Sequence, residues 1–178
     1  VELMVTQTSG GALNALTDSD VAPRFMMVWL GPLDAPFDRQ GFVDKPLIDF
    51  ARETHPAVIV RNSLNQSLLD ATNTPITFDT DVYNPSNMHS TVTNTSRLVA
   101  PQTGLYLCVG ILRWNNSATG TRYLGMQVNG AGNLWGLDRL VVLDANETPY
   151  HISGNLFKLS AGDYVELVGQ QNSGGSLN

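Results

Sequence analysis

The sequence predicts an all-β domain of the sandwich, barrel or jelly-roll type, and three observations support this prediction. Short apolar or alternating segments recur along the 178 residues, and clusters of Gly, Asn, Ser and Pro separate them. Only 15% of the residues are charged, which is low for a globular protein, whereas 42% are hydrophobic and are enough to form a core. Apolar spacing typical of long amphipathic helices is scarce, so strands and turns are the better description.

An internal repeat determines how the domains are assigned. Residues 165–178 (VELVGQQNSGGSLN) match residues 1–14 (VELMVTQTSGGALN) at nine of fourteen positions, 164 residues apart. Self-similarity at a fixed offset is typical of repeated structural units. The alternative is two unrelated hairpins that share a Ser-Gly-Gly turn. We expect residues 1–32 to be the C-terminal strands of a preceding repeat, or exchanged strands, 33–56 to be a linker, and 57–178 to be a domain lacking its last strand.

The first elements follow from local composition. Residues 1–6 alternate and predict a strand, and residues 9–11 predict a turn. The apolar run at residues 25–30, within the segment 23–30, lies between Pro23 and a Gly-Pro pair, which predicts a strand buried on both faces. We expect this strand to be the last of the preceding repeat. It should pair through Phe25, Val28 and Trp29 in a complementary jelly roll, either of a preceding tandem domain or of another chain.

The linker has a different composition. Pro36, Pro46 and Pro56 punctuate it, and charged residues concentrate there. Residues 45–54 are compatible with one or two helical turns, because Pro46 would take an early helical position. Linkers of this kind usually mark domain boundaries.

From residue 57 onward, strands are predicted in close succession. The longest predicted strand, 104–114, carries apolar side chains on both of its faces. Asn129-Gly130 is the strongest hairpin signal in the chain. The predicted strands cover residues 57–69, 76–79, 96–100, 104–114, 121–128, 134–143, 150–159 and 164–168.

Several of these segments together resemble the globular domains of the complement C-one-q and tumour-necrosis-factor-like family. They are the sequence 101–106 (PQTGLY) entering the long strand, 126–130 (MQVNG) at the central hairpin, 159–165 (LSAGDYV) near the end, and 76–78 followed by Tyr83. The resemblance covers residues 57–178. It implies a ten-stranded jelly roll that packs as a tight trimer, in a tandem or strand-exchanged arrangement.

Other segments resemble the phage-borne and bacterial members of that family, including domains of tail and fibre proteins of phages that infect actinobacteria. They are residues 78–83 (FDTDVY), 88–89 (MH), 96–101 (SRLVAP), 115–122 and 172–175. The family's last strand would follow Asn178, and its equivalent stands at residues 23–30 instead.

Residue types that support chemistry are few and scattered. Asp79 and Asp81 lie two apart on a predicted strand and share a side, which makes them weak calcium candidates or solvated carboxylates. His89 is expected to be a solvated loop residue rather than a catalytic base. Cys108 is expected to be a buried small hydrophobe, not a nucleophile. Since no nucleophile–base motif is present, the sequence predicts neither an enzyme nor a bound cofactor.

The apolar content of two long strands predicts a homotrimer interface. The candidate residues are Tyr106, Cys108, Leu112, Trp114, Tyr150, Ile152 and Phe157. Four aromatic residues have an alternative role in stacking on the sugar rings of a host-surface glycan, although core or interface positions are favoured for them. They are Trp114, Tyr123, Trp135 and Tyr150.

The function predicted from these features is a virion component, with structural and adhesive roles in a phage tail, fibre or capsid surface and with other virion proteins as partners. The first alternative is a bacterial surface or secreted binding module of the same fold, and a glycan hydrolase is a distant third. A net charge of −6 disfavours a nucleic-acid partner. The apolar run at 25–30 is too short to span a membrane.

Overall fold

The computed structural model describes residues 24–31, 55–141 and 149–177. Within these ranges the chain forms ten β-strands in two antiparallel sheets and no helix. Nothing in them has the helical length and apolarity needed to cross a bilayer. The strand and turn predicted at residues 1–11 and the helical turns predicted at 45–54 lie outside the described residues.

The first sheet has five strands in the order β4-β2-β1-β6-β9. Their bounds are Arg24–Gly31 for β1, Ala57–Arg61 for β2, Thr80–Tyr83 for β4, Gly104–Arg113 for β6 and Tyr150–Leu159 for β9. The second sheet has the order β3-β10-β7-β8, and β5 also pairs with β10. Its bounds are Thr74–Pro75 for β3, Arg97–Val99 for β5, Thr121–Val128 for β7, Trp135–Val141 for β8 and Tyr164–Gln171 for β10.

The strand order of the two sheets is that of a jelly roll. When β2 is counted as the first strand, β5 is the second, β6 the third, β7 the fourth, β8 the fifth, β9 the sixth and β10 the seventh. One sheet then runs first, eighth, third, sixth, with β1 in the eighth position and β4 added beyond β2. The other runs second, seventh, fourth, fifth, with β3 also paired to β10. Strand β1 therefore fills the place that the strand after β10 takes in an uninterrupted jelly roll.

Strand β1 is paired on both sides, as predicted for residues 25–30. It is antiparallel to β2, with Phe25 opposite Val60, and antiparallel to β6, with Met27 opposite Cys108. The partner strands belong to the same chain. The prediction that this strand is buried on both faces is wrong: Phe25 and Met27 are fully buried, while Met26, Val28 and Trp29 are half-buried.

The core lies between the sheets and is formed by alternate side chains of each strand. In β6 the inward face carries Tyr106, Cys108 and Leu112, and the outward face carries the half-buried side chains of Leu105, Leu107, Val109 and Ile111. Gly110 also faces inward, and a Cβ there would overlap with Leu167 of the opposite sheet. The two sheets therefore approach each other closely where Gly110 of β6 faces Leu167 of β10.

Two local predictions have different outcomes. The turn at Asn129-Gly130 is confirmed: both residues have positive φ (53° and 65°), and the Ala131 N–H donates to the Val128 carbonyl oxygen at 3.0 Å. The connection is nevertheless longer than a two-residue hairpin, because β8 begins only at Trp135. The strand predicted at 76–79 is wrong: pairing is confined to β3 and β4 on either side of it. Residues 76–78 instead bury Ile76 and Phe78 in the core, which explains their alternating pattern.

Candidate functional site

The two aspartates proposed as calcium ligands are engaged by protein donors. The main-chain N–H and hydroxyl of Ser63 donate to Asp79 at 3.0 and 2.6 Å, and the Thr80 hydroxyl donates at 2.8 Å. Burial tends to raise the pKa of Asp79, but these hydrogen bonds outweigh it and hold that pKa below its ordinary value. Among the residues of the three described ranges, no three His, Cys, Asp or Glu side chains are grouped to hold a metal ion.

His89 is not the solvated loop residue that the sequence predicts. Its side chain is fully buried, with Nδ1 2.6 Å from Oδ1 of Asp81 and Nε2 3.0 Å from the carbonyl oxygen of Thr95. The ring also lies edge-on to Phe78, with ring centroids 6.3 Å apart. Both ring nitrogens are thus occupied, so the imidazole joins β4 to the loop before β5 and is not presented to a substrate.

Cys108 has no access to solvent. The residue is fully buried on the inward face of β6, and burial raises the pKa of its thiol far above the ordinary value. A thiol held in its protonated form without solvent access is a poor nucleophile. The structure therefore gives Cys108 a packing role only.

A buried polar cluster lies beside Trp114 and was missed by sequence reasoning. The Trp114 indole N–H donates to Nδ1 of His151 at 3.3 Å, and the Arg122 guanidinium lies 6.0 Å from the indole centroid. Arg122 is fully buried and donates to the carbonyl oxygens of Ser117, Thr119 and Thr121. The cluster fixes the loop between β6 and β7, and nothing in the residue spacing indicates that Arg122 turns inward.

The seven candidates for a trimer interface divide into two groups. Tyr150 and Ile152 are 47% and 62% exposed on the outward face of β9. The other five point into the core of this chain and are not available to a second subunit. They are Tyr106, Cys108, Leu112, Trp114 and Phe157. Because β6 is apolar on both faces, its sequence does not show which face is turned inward.

Exposed apolar side chains are concentrated at one edge of the sandwich, where β8 and β9 meet. Of the twelve exposed large hydrophobic residues in the described part of the chain, six belong to these two strands, although the strands lie in different sheets. We call this set the β8–β9 apolar edge. Its members are Trp135, Leu137, Val141, Tyr150, Ile152 and Leu156.

The geometry of this edge depends on a close approach between β8 and β9. The Ser153 hydroxyl donates to the carbonyl oxygen of Gly136 at 2.7 Å. Gly136 has a φ of 60°, and a Cβ there would lie 3.0 Å from the Ser153 hydroxyl and 3.1 Å from the Gly154 carbonyl. Glycine at position 136 therefore allows β8 and β9 to approach each other closely at this edge of the sandwich.

Three members of the edge were missed by sequence reasoning: Leu137, Val141 and Leu156. Leu156 continues the two-residue period of Tyr150 and Ile152 on one face of β9, so strand alternation was a usable signal for it. For β8 no such signal exists, because nearly all of its side chains are exposed. Of the four aromatic residues considered for glycan stacking, Trp135 and Tyr150 are exposed, Tyr123 is half-buried and Trp114 is buried.

Comparison with known proteins shows similarity to solved structures only. No protein-family model matches the chain, and no curated protein matches it. Among solved structures, the chain is similar to the globular domain of a zebrafish complement 1qA protein, with a TM-score of 0.44 and 15% identity, over 62% of this chain and 88% of that one. The jelly-roll strand order is a property of this chain's own two sheets and does not depend on that likeness.

Proposed function

We propose that the chain is a non-catalytic structural and adhesive module that assembles as a homotrimer through the β8–β9 apolar edge. The observation that carries this proposal is the concentration of exposed apolar side chains on two adjoining strands. Contiguous apolar surface on a soluble domain marks an interaction site, whereas scattered single residues do not. Charged residues are sparse on this edge, with Asp138, Arg139 and Lys158 as its charged neighbours along β8 and β9.

A closed ring explains how such an edge is buried. In a heterologous contact, one surface of each copy packs on a different surface of the next, and the ring closes if the rotation allows it. The surface best suited to receive the edge is the outward face of the first sheet, where β1 and β6 present half-buried Met26, Val28, Leu107 and Val109. Three copies then bury both apolar surfaces around a threefold axis and leave the loops exposed for binding.

The test of this assembly uses charge placed on the edge. We expect the wild-type chain to sediment as a trimer and Ile152→Asp to sediment as a monomer with nearly the same thermal midpoint, because Ile152 is 62% exposed in the single chain. Val92→Asp is the matched control, since Val92 is another β-branched residue, 84% exposed on a loop away from β8 and β9. A wild-type monomer at micromolar concentration, or equal effects of the two substitutions, would refute the role of the edge.

The place of the module is proposed to be the surface of a virion, as part of a phage tail, fibre or capsid. Support comes from the resemblance of residues 78–83, 96–101 and 172–175 to phage-borne domains, and from the composition, which favours strands, turns and a weakly charged surface. The alternative is a bacterial surface or secreted binding module. Antibodies against the chain, used for immunogold labelling of purified particles and of host cells, separate the two: labelled cells with bare particles would contradict the virion proposal.

Glycan binding is a second candidate function with a specific observation behind it. Trp135 and Tyr150 are both about half exposed on the same edge, and aromatic rings in that state stack well on sugars. The trimer would cover both rings, so this surface cannot bind a glycan and form the trimer interface at the same time. Loss of glycan binding in Trp135→Ala without any change in oligomeric state favours the glycan, and dissociation of the trimer favours the assembly role.

A further inference from the structure

Strand β1 occupies a position in the sheet that belongs, by sequence, to another copy of this unit. Residues 1–14 repeat residues 165–178, which include most of β10 and the loop that follows it. In the jelly-roll order the strand after β10 is the eighth, and β1 fills the eighth position here. Hence β1 follows a copy of β10 in sequence, yet it completes the sandwich formed by the residues that come after it.

The position itself is a deep slot between two strands. Without β1, both β2 and β6 have unpaired edges, and the part of the core that Phe25 and Met27 fill is open to solvent. Open edges in the middle of a sheet are strong templates for a matching strand. The register is specific, because the inward side chains of β1 alternate with outward ones, so a slip of one residue would turn Phe25 and Met27 away from the core.

The connection between β1 and β2 does not dictate which copy β1 completes. The 25 residues from 32 to 56 separate the two strands. A chain of that length reaches about 80 Å when extended, at roughly 3.3 Å per residue. This length is enough for β1 to reach the slot of a second copy as well as its own.

We propose that the slot between β2 and β6 is a strand-exchange site whose occupant is the β1 strand of a second copy of this unit. Copies joined in this way form a chain in which each sandwich is completed by its neighbour's strand. The inference is independent of the virion role and of the β8–β9 apolar edge, because it concerns the interior of the first sheet.

The chain offers a direct test, because its single cysteine is the register partner of a β1 residue. Met27 lies opposite Cys108, both are fully buried, and no other cysteine is present. Residues directly opposite in antiparallel strands are close enough for a disulfide. In the full chain carrying Met27→Cys, refolded from denaturant in a thiol redox buffer, the link between positions 27 and 108 forms within one chain or between two, according to where β1 lies.

We expect disulfide-linked dimers and larger species whose ratio to the internally linked monomer rises about tenfold when the refolding concentration is raised tenfold, as exchange between copies requires. Peptide mapping must show the link between positions 27 and 108. The control is Met26→Cys, whose side chain lies on the half-buried outward face opposite Val109 and cannot reach Cys108. Internally linked monomer alone at every concentration would overturn the proposal.

A second measurement does not depend on a disulfide. The full chain with Phe25→Asp and Met27→Asp has a β1 that no longer fits the core, so the slot is vacated. A synthetic peptide of residues 23–32 should raise the thermal midpoint of this variant by several degrees, with saturation, whereas the same peptide carrying both aspartates should not. The exchange-site proposal would be overturned if the variant had equal thermal midpoints with the two peptides. It would also be overturned if the variant showed no cooperative thermal transition with either peptide.

Discussion

His151 is a buried imidazole with a fixed hydrogen-bonding role. Its Nδ1 accepts the Trp114 indole N–H, which places the ring proton of the neutral form on Nε2. Burial lowers the pKa of His151; the carboxylate of Asp138 opposes this shift and the Arg122 guanidinium adds to it. A protonated ring would lose the hydrogen bond from Trp114 and place a second positive charge near Arg122, so the fold holds His151 neutral.

This arrangement predicts a pH dependence of stability. The folded-state pKa of His151 lies below its ordinary value of 6.5, so the unfolded chain takes up the proton more readily as the pH falls below that value. The free energy of unfolding should therefore decrease as the pH drops from about 7 to 5. We expect His151→Gln, whose amide oxygen still accepts from Trp114, to weaken this decrease. Urea titrations of both proteins at several pH values measure it, and identical pH profiles would contradict the assignment.

Single residues also show where sequence reasoning reaches its limit. The buried character of Cys108 follows from its apolar neighbours along the strand and is correctly predicted. The burial of His89 and Arg122 is not predictable in this way, because their partners are main-chain carbonyls and a carboxylate brought together by loops. Nothing in the local sequence marks a loop that curls around a polar side chain.

At the level of elements, Phe25 is the aromatic side chain that β1 buries most completely. This side chain is fully buried and stacks on Phe78 with ring centroids 6.0 Å apart, whereas Trp29 is only half-buried. We expect Phe25→Ala to lower the free energy of unfolding by about 3–5 kcal/mol, as for other buried aromatic residues. Trp29→Ala should lower the free energy of unfolding by clearly less. Denaturant unfolding of the two variants measures which loss in free energy of unfolding is larger. A larger loss for Trp29→Ala would show that β1 lies differently in the sheet.

The strands themselves were largely predictable, and their faces were not. β6, β7 and β9 lie within a residue of the predicted ranges because their periodicity and turns are well marked. β6 has leucine, valine and isoleucine side chains on one face and Tyr106, Cys108 and Leu112 on the other, so both faces are apolar enough to be the core. The side turned inward is decided by the fit to the opposite sheet, whose Leu167 packs against Gly110 of β6. The exposed edge at β8 was missed for a similar reason. Whether a side chain is exposed depends on which neighbouring elements cover it, and the sequence of β8 does not show this.

For the whole molecule, the central place of β1 couples one strand to the integrity of the sandwich. β1 is flanked by β2 on one side and β6 on the other, and it lies over the core that both sheets share. Its release would separate β2 and β4 from the rest of the first sheet. A strand in this position is expected to leave only when the domain unfolds as a whole, unlike an edge strand that frays locally.

The reactivity of the Cys108 thiol measures the release of β1 in the wild-type chain, without any substitution. It lies opposite Met27 on β6, the strand next to β1 in the same sheet, is fully buried, and is the only thiol in the chain. We expect Ellman's reagent to label it in native buffer at a rate that rises with denaturant as steeply as global unfolding does, because β1 has to leave before the thiol is reached. The free energy obtained from labelling should equal that from equilibrium unfolding. Fast labelling at a rate insensitive to denaturant would mean that β1 detaches locally, and exchange between copies would then proceed without refolding.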